Sequence, residues 1–211
     1  MTDNTATFPD GPAGPTPEPD LPHAWTEQLL GAPTSASATW SLEAQRFGTA
    51  LALASLFGVA IGLRMGGPAI ATHALGVSVG IGAVCGLAVP ALAIILALAN
   101  ASIDGLGLAR ATSRGAATAG LLLAGLAPGA ALFAVTVEDA ISVTLVGVAG
   151  LVLAGILGMR AFLRELAPQL AAADASARRL SQITIPFFLV FAAVLGARIW
   201  WVMLPIVRAG S

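Results

Sequence analysis

The 211-residue chain is 57% hydrophobic and only 10% charged, and its mean hydropathy is +0.88. Soluble domains carry about 25% charged residues, so this composition has too few polar groups to cover a soluble globule and excludes that class. The formal net charge of −1 gives no electrostatic reason to expect nucleic acid as a partner.

The first 38 residues differ in composition from the rest of the chain. Seven of the thirteen prolines lie within residues 1–35, and such a segment buries too little apolar area to offset its ordering entropy. We predict a disordered tail over residues 1–38, without the basic region and apolar core of a signal peptide. Within the tail, residues 21–30 form either a short interfacial helix, anchored by Trp25, Leu29 and Leu30, or a continuation of the disorder.

The remainder is predicted to be an all-α, polytopic transmembrane helical bundle. About 20 apolar residues are needed for a helix to cross a bilayer, and the sequence contains five long runs without a formal charge. These runs predict spans at about residues 47–64, 74–99, 116–137, 140–160 and 183–207, with residues 39–46 leading into the first span.

The second run, residues 65–103, is too long for one ordinary span. It contains either one long helix, which follows a turn at Gly66-Gly67-Pro68 and is kinked at Pro90, or a hairpin that raises the total to six spans. A turn exposed to lipid would leave backbone groups without hydrogen bonds. We therefore favour five spans.

Arginine positions predict the orientation, because cytoplasmic loops are enriched in basic residues. With five spans and a cytoplasmic tail, seven arginines lie inside and two lie outside, apart from Arg198 within a span. The inner set is Arg46, Arg110, Arg114, Arg160, Arg164, Arg178 and Arg179, and the outer set is Arg64 and Arg208. A six-span chain with its tail outside gives the same ratio, but it must export an acidic tail. The composition, rich in alanine and glycine and without lysine, indicates a bacterial inner-membrane protein.

Small residues four positions apart predict close packing between the helices. Without a hydrophobic driving force in lipid, helices associate where small residues let backbones approach. The pairs are Gly58/Gly62, Gly76/Gly80, Gly82/Gly86, Gly125/Gly129 and Ala154/Gly158. We expect seams within one chain, with a homo-oligomer interface as the alternative.

Arg198 is the only formal charge inside a predicted span. The topology places it in the outer half of the last span, before Trp200 and Trp201, where an aromatic belt is expected. Its guanidinium either extends to the lipid headgroups or pairs with Glu138 or Asp139 of the outer loop between the third and fourth spans.

The sequence contains no recognisable reaction centre. No two carboxylates share a predicted span, His23 and His73 lack partners at metal-ligand spacing, and no nucleotide-binding or hydrolase motif occurs. We therefore expect no enzymatic activity, no cofactor and no metal site. Pro90 and Pro128 interrupt spans, either as structural kinks or beside a transport path.

Three short motifs carry a family resemblance: Leu-Ala-Val-Pro-Ala-Leu around Pro90, Leu-Ala-Gly-Leu-Ala-Pro ending at Pro128, and Gly-Ala-Arg-Ile-Trp-Trp-Val-Met-Leu-Pro-Ile over residues 196–206. From Phe47 onward the chain resembles bacterial multi-span proteins similar to the Yip1-domain family. Relatives often carry a basic residue before the closing proline, where this chain has Leu204. The resemblance implies about five spans, no catalytic residues and a role exerted through partners.

These observations predict a scaffold or accessory subunit of a membrane complex. The expected partners are the lipid bilayer and other membrane or cytoplasmic proteins, the latter recruited by the tail. The alternative is a small transporter or channel with a path near Pro90, Pro128 and Arg198.

Overall fold

The computed structural model describes residues 39–98, 104–172 and 175–203. The predicted tail, with its candidate interfacial helix at residues 21–30, lies outside the described residues. So do Leu204, Pro205 and Arg208 at the other terminus.

Five helices make up almost all of the described chain, which confirms the all-α prediction. They are α1 (Trp40–Gly62), α2 (Pro68–Leu98), α3 (Gly105–Thr136), α4 (Ala140–Ala172) and α5 (Ala175–Met203). All five are long and apolar enough to cross a membrane. Helix α2 continues through Pro90 without a break, so the hairpin and the sixth span that it implied are wrong.

The helices extend beyond several of the predicted spans. Helix α1 begins at Trp40, α3 begins at Gly105 and α4 ends at Ala172, whereas the predicted spans began at residues 47 and 116 and ended at residue 160. The predicted spans were shorter than these helices because they stopped near the first charged residue. Each of these helices continues into a flank whose charged side chains pair with one another. The predicted turn before α2 is present: Gly66 and Gly67 have φ of 66° and 52°, and Pro68 occupies the first helical position, which suits its fixed φ.

Helix α1 occupies the middle of the bundle. It packs between α2 and α3, α3 also packs on α4, and α5 packs mainly on α2. One apolar core joins α1, α2, α3 and α4 around Phe57 and Leu123. A second core joins α2, α3, α4 and α5, and there the rings of Phe162 and Phe188 lie 6.3 Å apart.

The α1–α2 seam depends on two glycines. A Cβ atom at Gly58 would lie 2.7 Å from the Cα of Ala74, and one at Gly62 would lie 2.7 Å from the Cα of Ile70. Backbone atoms cannot yield as side chains do, so the two helices approach this closely only because these positions lack a side chain.

The other small-residue pairs differ in their surroundings. A Cβ at Gly158 would lie 2.8 Å from the carbonyl oxygen of Gly115, so this glycine supports the α3–α4 contact. Beyond its own helix, a Cβ atom at Gly86, Gly125 or Gly129 would have no described atom within 4 Å. The spacing of four alone therefore does not distinguish a buried seam from a lipid-facing surface.

Replacing Gly58 with alanine tests the seam. Alanine normally favours a helix over glycine by about 1 kcal/mol, but here the added methyl group overlaps the α2 backbone. We expect the free energy of unfolding in detergent to fall by about 1–3 kcal/mol, the usual range for overpacking. Gly155→Ala is the matched control, since a Cβ there meets open space in the described structure, and it should be neutral or stabilising. Equal stability of the two variants would contradict the seam.

Candidate functional site

A carboxylate lies buried where α1 begins. Glu43 is 2% exposed and Arg46, one turn later, is 6% exposed. The Nη1 atom of Arg46 lies 3.2 Å and 3.1 Å from the two carboxylate oxygens of Glu43. From α3, the hydroxyl of Ser113 donates a hydrogen bond to Oε2 of Glu43, and Nε of Arg110 lies 4.0 Å from its Oε1. We call these four residues the Glu43 cluster.

Helix periodicity explains how four distant residues form this cluster. Glu43 and Arg46 are three apart on α1, and Arg110 and Ser113 are three apart on α3, so each pair lies on one helix face. Glu43 is in the first turn of α1, where the helix dipole also favours a negative charge. Packing the two faces together removes the carboxylate from solvent, and the Ser113 hydroxyl of α3 adds a hydrogen bond to those from Arg46.

A second ion pair continues the polar contacts from α3 to α4. The Nη1 atom of Arg114 lies 2.6 Å from Oε2 of Glu165, and both side chains are about four-fifths buried. Because Arg114 follows Ser113 directly, the first part of α3 binds α1 through Ser113 and α4 through Arg114. A buried ion pair contributes little net stability against apolar residues of the same shape, but removing one partner is costly. These contacts therefore specify which helices pack together.

Sequence reasoning missed this site. It assigned Arg46, Arg110 and Arg114 to cytoplasmic loops and gave Glu43 and Glu165 no role. The i, i+3 spacing of Glu43 and Arg46 was the available signal. Their partners on α3 are about 70 residues away, and only the packing of the helices identifies them.

The opposite end of the bundle is joined by Arg64. Its guanidinium donates hydrogen bonds to the carbonyl oxygen of Val137, at 2.9 Å, and to that of Glu138. Val137 and Glu138 are the two residues that follow α3, and a cation at this end also complements the helix dipole. Arg64, just after α1, therefore caps the end of α3.

Asp139 caps the beginning of α4. Its carboxylate accepts hydrogen bonds from the Ser142 hydroxyl at 2.6 Å, the Ser142 N–H at 2.9 Å and the Ile141 N–H at 3.2 Å. The Ser142 hydroxyl, the two backbone N–H groups and the nearby charge of Arg64 lower the pKa of Asp139. A lowered pKa in the folded state means that the cap stabilises α4 at neutral pH, and that this contribution is lost as the pH falls through the lowered value.

Arg198 does not form the predicted pair. Among the residues that the structure describes, no ion pair joins it to Glu138 or Asp139. The reason is the packing order: α5 lies mainly against α2, which makes only slight contact with α3. Arg198 is exposed instead, beside a groove lined by Val194, Ala197 and Trp201.

The two tryptophans that follow have different surroundings. Trp200 packs over Gly80, where a built Cβ would lie 2.6 Å from the indole Nε1, and it borders the first apolar core. Trp201 is 65% exposed. A single aromatic belt was predicted from both residues, but Trp200 is partly buried against the bundle whereas Trp201 is exposed.

Pro90 and Pro128 are exposed on the surfaces of α2 and α3, and both helices continue through them. A surface groove of about 470 Å³ lies at the Arg64 end, beside the ends of α1 and α3, and neither proline lines it. The structure does not bring Pro90, Pro128 and Arg198 together around one cavity.

Comparison with protein-family models, with curated proteins and with solved structures finds nothing that matches the chain. The resemblance to Yip1-domain proteins stays a prediction.

Glu43→Gln tests whether the carboxylate holds the cluster together. The change keeps the size of the side chain but removes the negative charge that faces two guanidinium groups. Breaking a buried ion pair by removing one partner costs about 3–5 kcal/mol, so we expect a loss near the lower figure in detergent unfolding. The control is Asp104→Asn, an exposed acidic position just before α3, which should change stability little. Similar losses at both positions would show that general charge, and not the cluster, matters.

Proposed function

We propose that the protein is a non-enzymatic scaffold or accessory subunit of a complex in the bacterial inner membrane. Five helices long and apolar enough to span a membrane support the coarser part of this proposal. The observation that carries the finer part is how the charged side chains at one end of the bundle are used: Glu43 faces Arg46 on its own helix and Arg110 on α3, and Arg114 of α3 binds Glu165 of α4. Polar groups that serve packing in this way support a structural role.

The proposed orientation places the Glu43 cluster at the cytoplasmic side. Helix α1 begins at this end, and α3 begins and α4 ends there, with Arg46, Arg110, Arg114, Arg160 and Arg164. The positive-inside tendency supports this side for them. The Arg64 end, with Glu138 and Asp139, then faces outward.

The tail gives the scaffold a means to recruit a partner. Residues 1–38 carry five carboxylates and no arginine or lysine, so the segment favours a soluble partner with a basic surface. It joins the bundle at Trp40, at the same end as the Glu43 cluster. A cytoplasmic protein bound to the tail would be held beside the arginine-rich end of the bundle.

The transporter alternative requires Pro90, Pro128 and Arg198 to border a shared path. They lie exposed on three different helices, and no observation in the described part favours this function over the scaffold.

Site-directed crosslinking tests the recruitment of a partner and its side together. Ala13→Cys is introduced with Cys85→Ala, so that the tail carries the single cysteine, and a membrane-impermeant maleimide photo-crosslinker is added to native membranes. We expect an adduct of defined mass in inside-out vesicles and none in intact spheroplasts.

The control places the cysteine at Thr136, which is exposed at the opposite end, and it should react only in spheroplasts. An Ala13→Cys variant that labels in inside-out vesicles but captures no protein would overturn the accessory role. Labelling of the tail in spheroplasts would overturn the orientation.

A further inference from the structure

Arg198 is a full positive charge on the exposed side of an apolar helix. It belongs to the span Ile183–Val202, and no hydrogen bond or ion pair to another described residue engages its guanidinium. A groove of about 300 Å³ runs beside it, lined by Val194, Ala197 and Trp201. We propose that Arg198 and this groove bind an anionic phospholipid, with the guanidinium on the lipid phosphate.

The depth of Arg198 suits a headgroup. Within the described residues its candidate span ends at Val202, four residues after Arg198, which corresponds to about 6 Å along a helix. A long arginine side chain covers such a distance by extending toward the interface. Trp201 is one turn closer to the helix end and exposed, as expected for an indole at the headgroup level.

The four residues form one stripe of α5. Positions 194, 197, 198 and 201 follow the i, i+3, i+4, i+7 spacing of a single helix face. Exposed Val194 lies one turn deeper than Arg198 and offers an apolar surface to an acyl chain, while the small side chain of Ala197 leaves the space between them open. A charge above an apolar groove matches an amphipathic anion better than free phosphate.

The chemistry favours an anionic lipid over a zwitterionic one. A guanidinium binds phosphate oxygens through two parallel N–H···O bonds. A headgroup such as phosphatidylglycerol carries no ammonium to compete for the phosphate, so pairing leaves no excess positive charge in the membrane. Arg64 is less suited to this role, because its guanidinium already donates to two carbonyl oxygens.

Native mass spectrometry of the full chain in mixed phosphatidylglycerol and phosphatidylethanolamine tests the site. We expect the protein to retain phosphatidylglycerol preferentially, and Arg198→Gln to reduce this preference about tenfold, the effect of losing roughly one charge-assisted contact. Arg198→Lys keeps the charge but loses the two parallel N–H donors of the guanidinium, so it should retain part of the preference. Arg160→Gln, an exposed arginine at the opposite end of the bundle, is the matched control and should behave as the parent protein.

Two further measurements test the lipid site independently of Arg198→Gln. Ala197→Leu fills the groove without changing the charge, so it should also lower lipid retention, which tests the site even if Arg198→Gln fails to fold. Inorganic phosphate in excess should not displace the lipid; displacement would show that an anion alone suffices and would overturn the lipid site. Unchanged phosphatidylglycerol preference in Arg198→Gln or in Ala197→Leu would overturn it as well.

Discussion

The parallel packing of α1 against α3 is the contact on which the rest of the bundle depends. Seventy residues separate Glu43 from Ser113 and Ala50 from Gly120, and 73 separate Arg64 from Val137. A nearly constant separation means that the two helices run side by side in one register along their length. Polar contacts fix that register at both ends, where apolar packing alone specifies it weakly. In the middle, Gly120 lets the helix backbones meet at Ala50.

The other helices are positioned by this pair. Helix α2 returns along α1 through the Gly58 and Gly62 seam, and α4 is joined to α3 by the Arg114–Glu165 ion pair. Among the described contacts, α5 has neither a close backbone seam like that at Gly58 and Gly62 nor an ion pair to another helix. It packs mainly on α2 through apolar side chains and Trp200. Its looser attachment leaves the stripe around Arg198 facing outward. The same arrangement therefore gives a specified helix order on one side and an accessible charged groove on the other.

Composition and charge-free runs were enough to predict the all-α bundle, because the bilayer fixes how long an apolar helix must be. The turn at Gly66 and Gly67 was also predictable, since glycine is the residue that adopts a positive φ at little cost. The Glu43 cluster was not predictable in this way. Whether Arg110 is a loop charge or a partner of Glu43 depends on which helix faces which, and a pattern along one helix does not contain that information. For the same reason, the loop between α3 and α4 was predicted to pair with Arg198, whereas Arg64 binds it.

The most direct measurement of the central claim is a double-mutant cycle between Glu43 and Ser113. Glu43→Ala, Ser113→Ala and the double variant are unfolded in the same detergent, and the free energies of unfolding are compared. A hydrogen bond to a charged group contributes about 1.5–3 kcal/mol, so Ser113→Ala should cost that much in the parent protein and almost nothing when Glu43 is already alanine. Additive losses, with the same cost for Ser113→Ala in both backgrounds, would contradict a bond between α1 and α3 at this point.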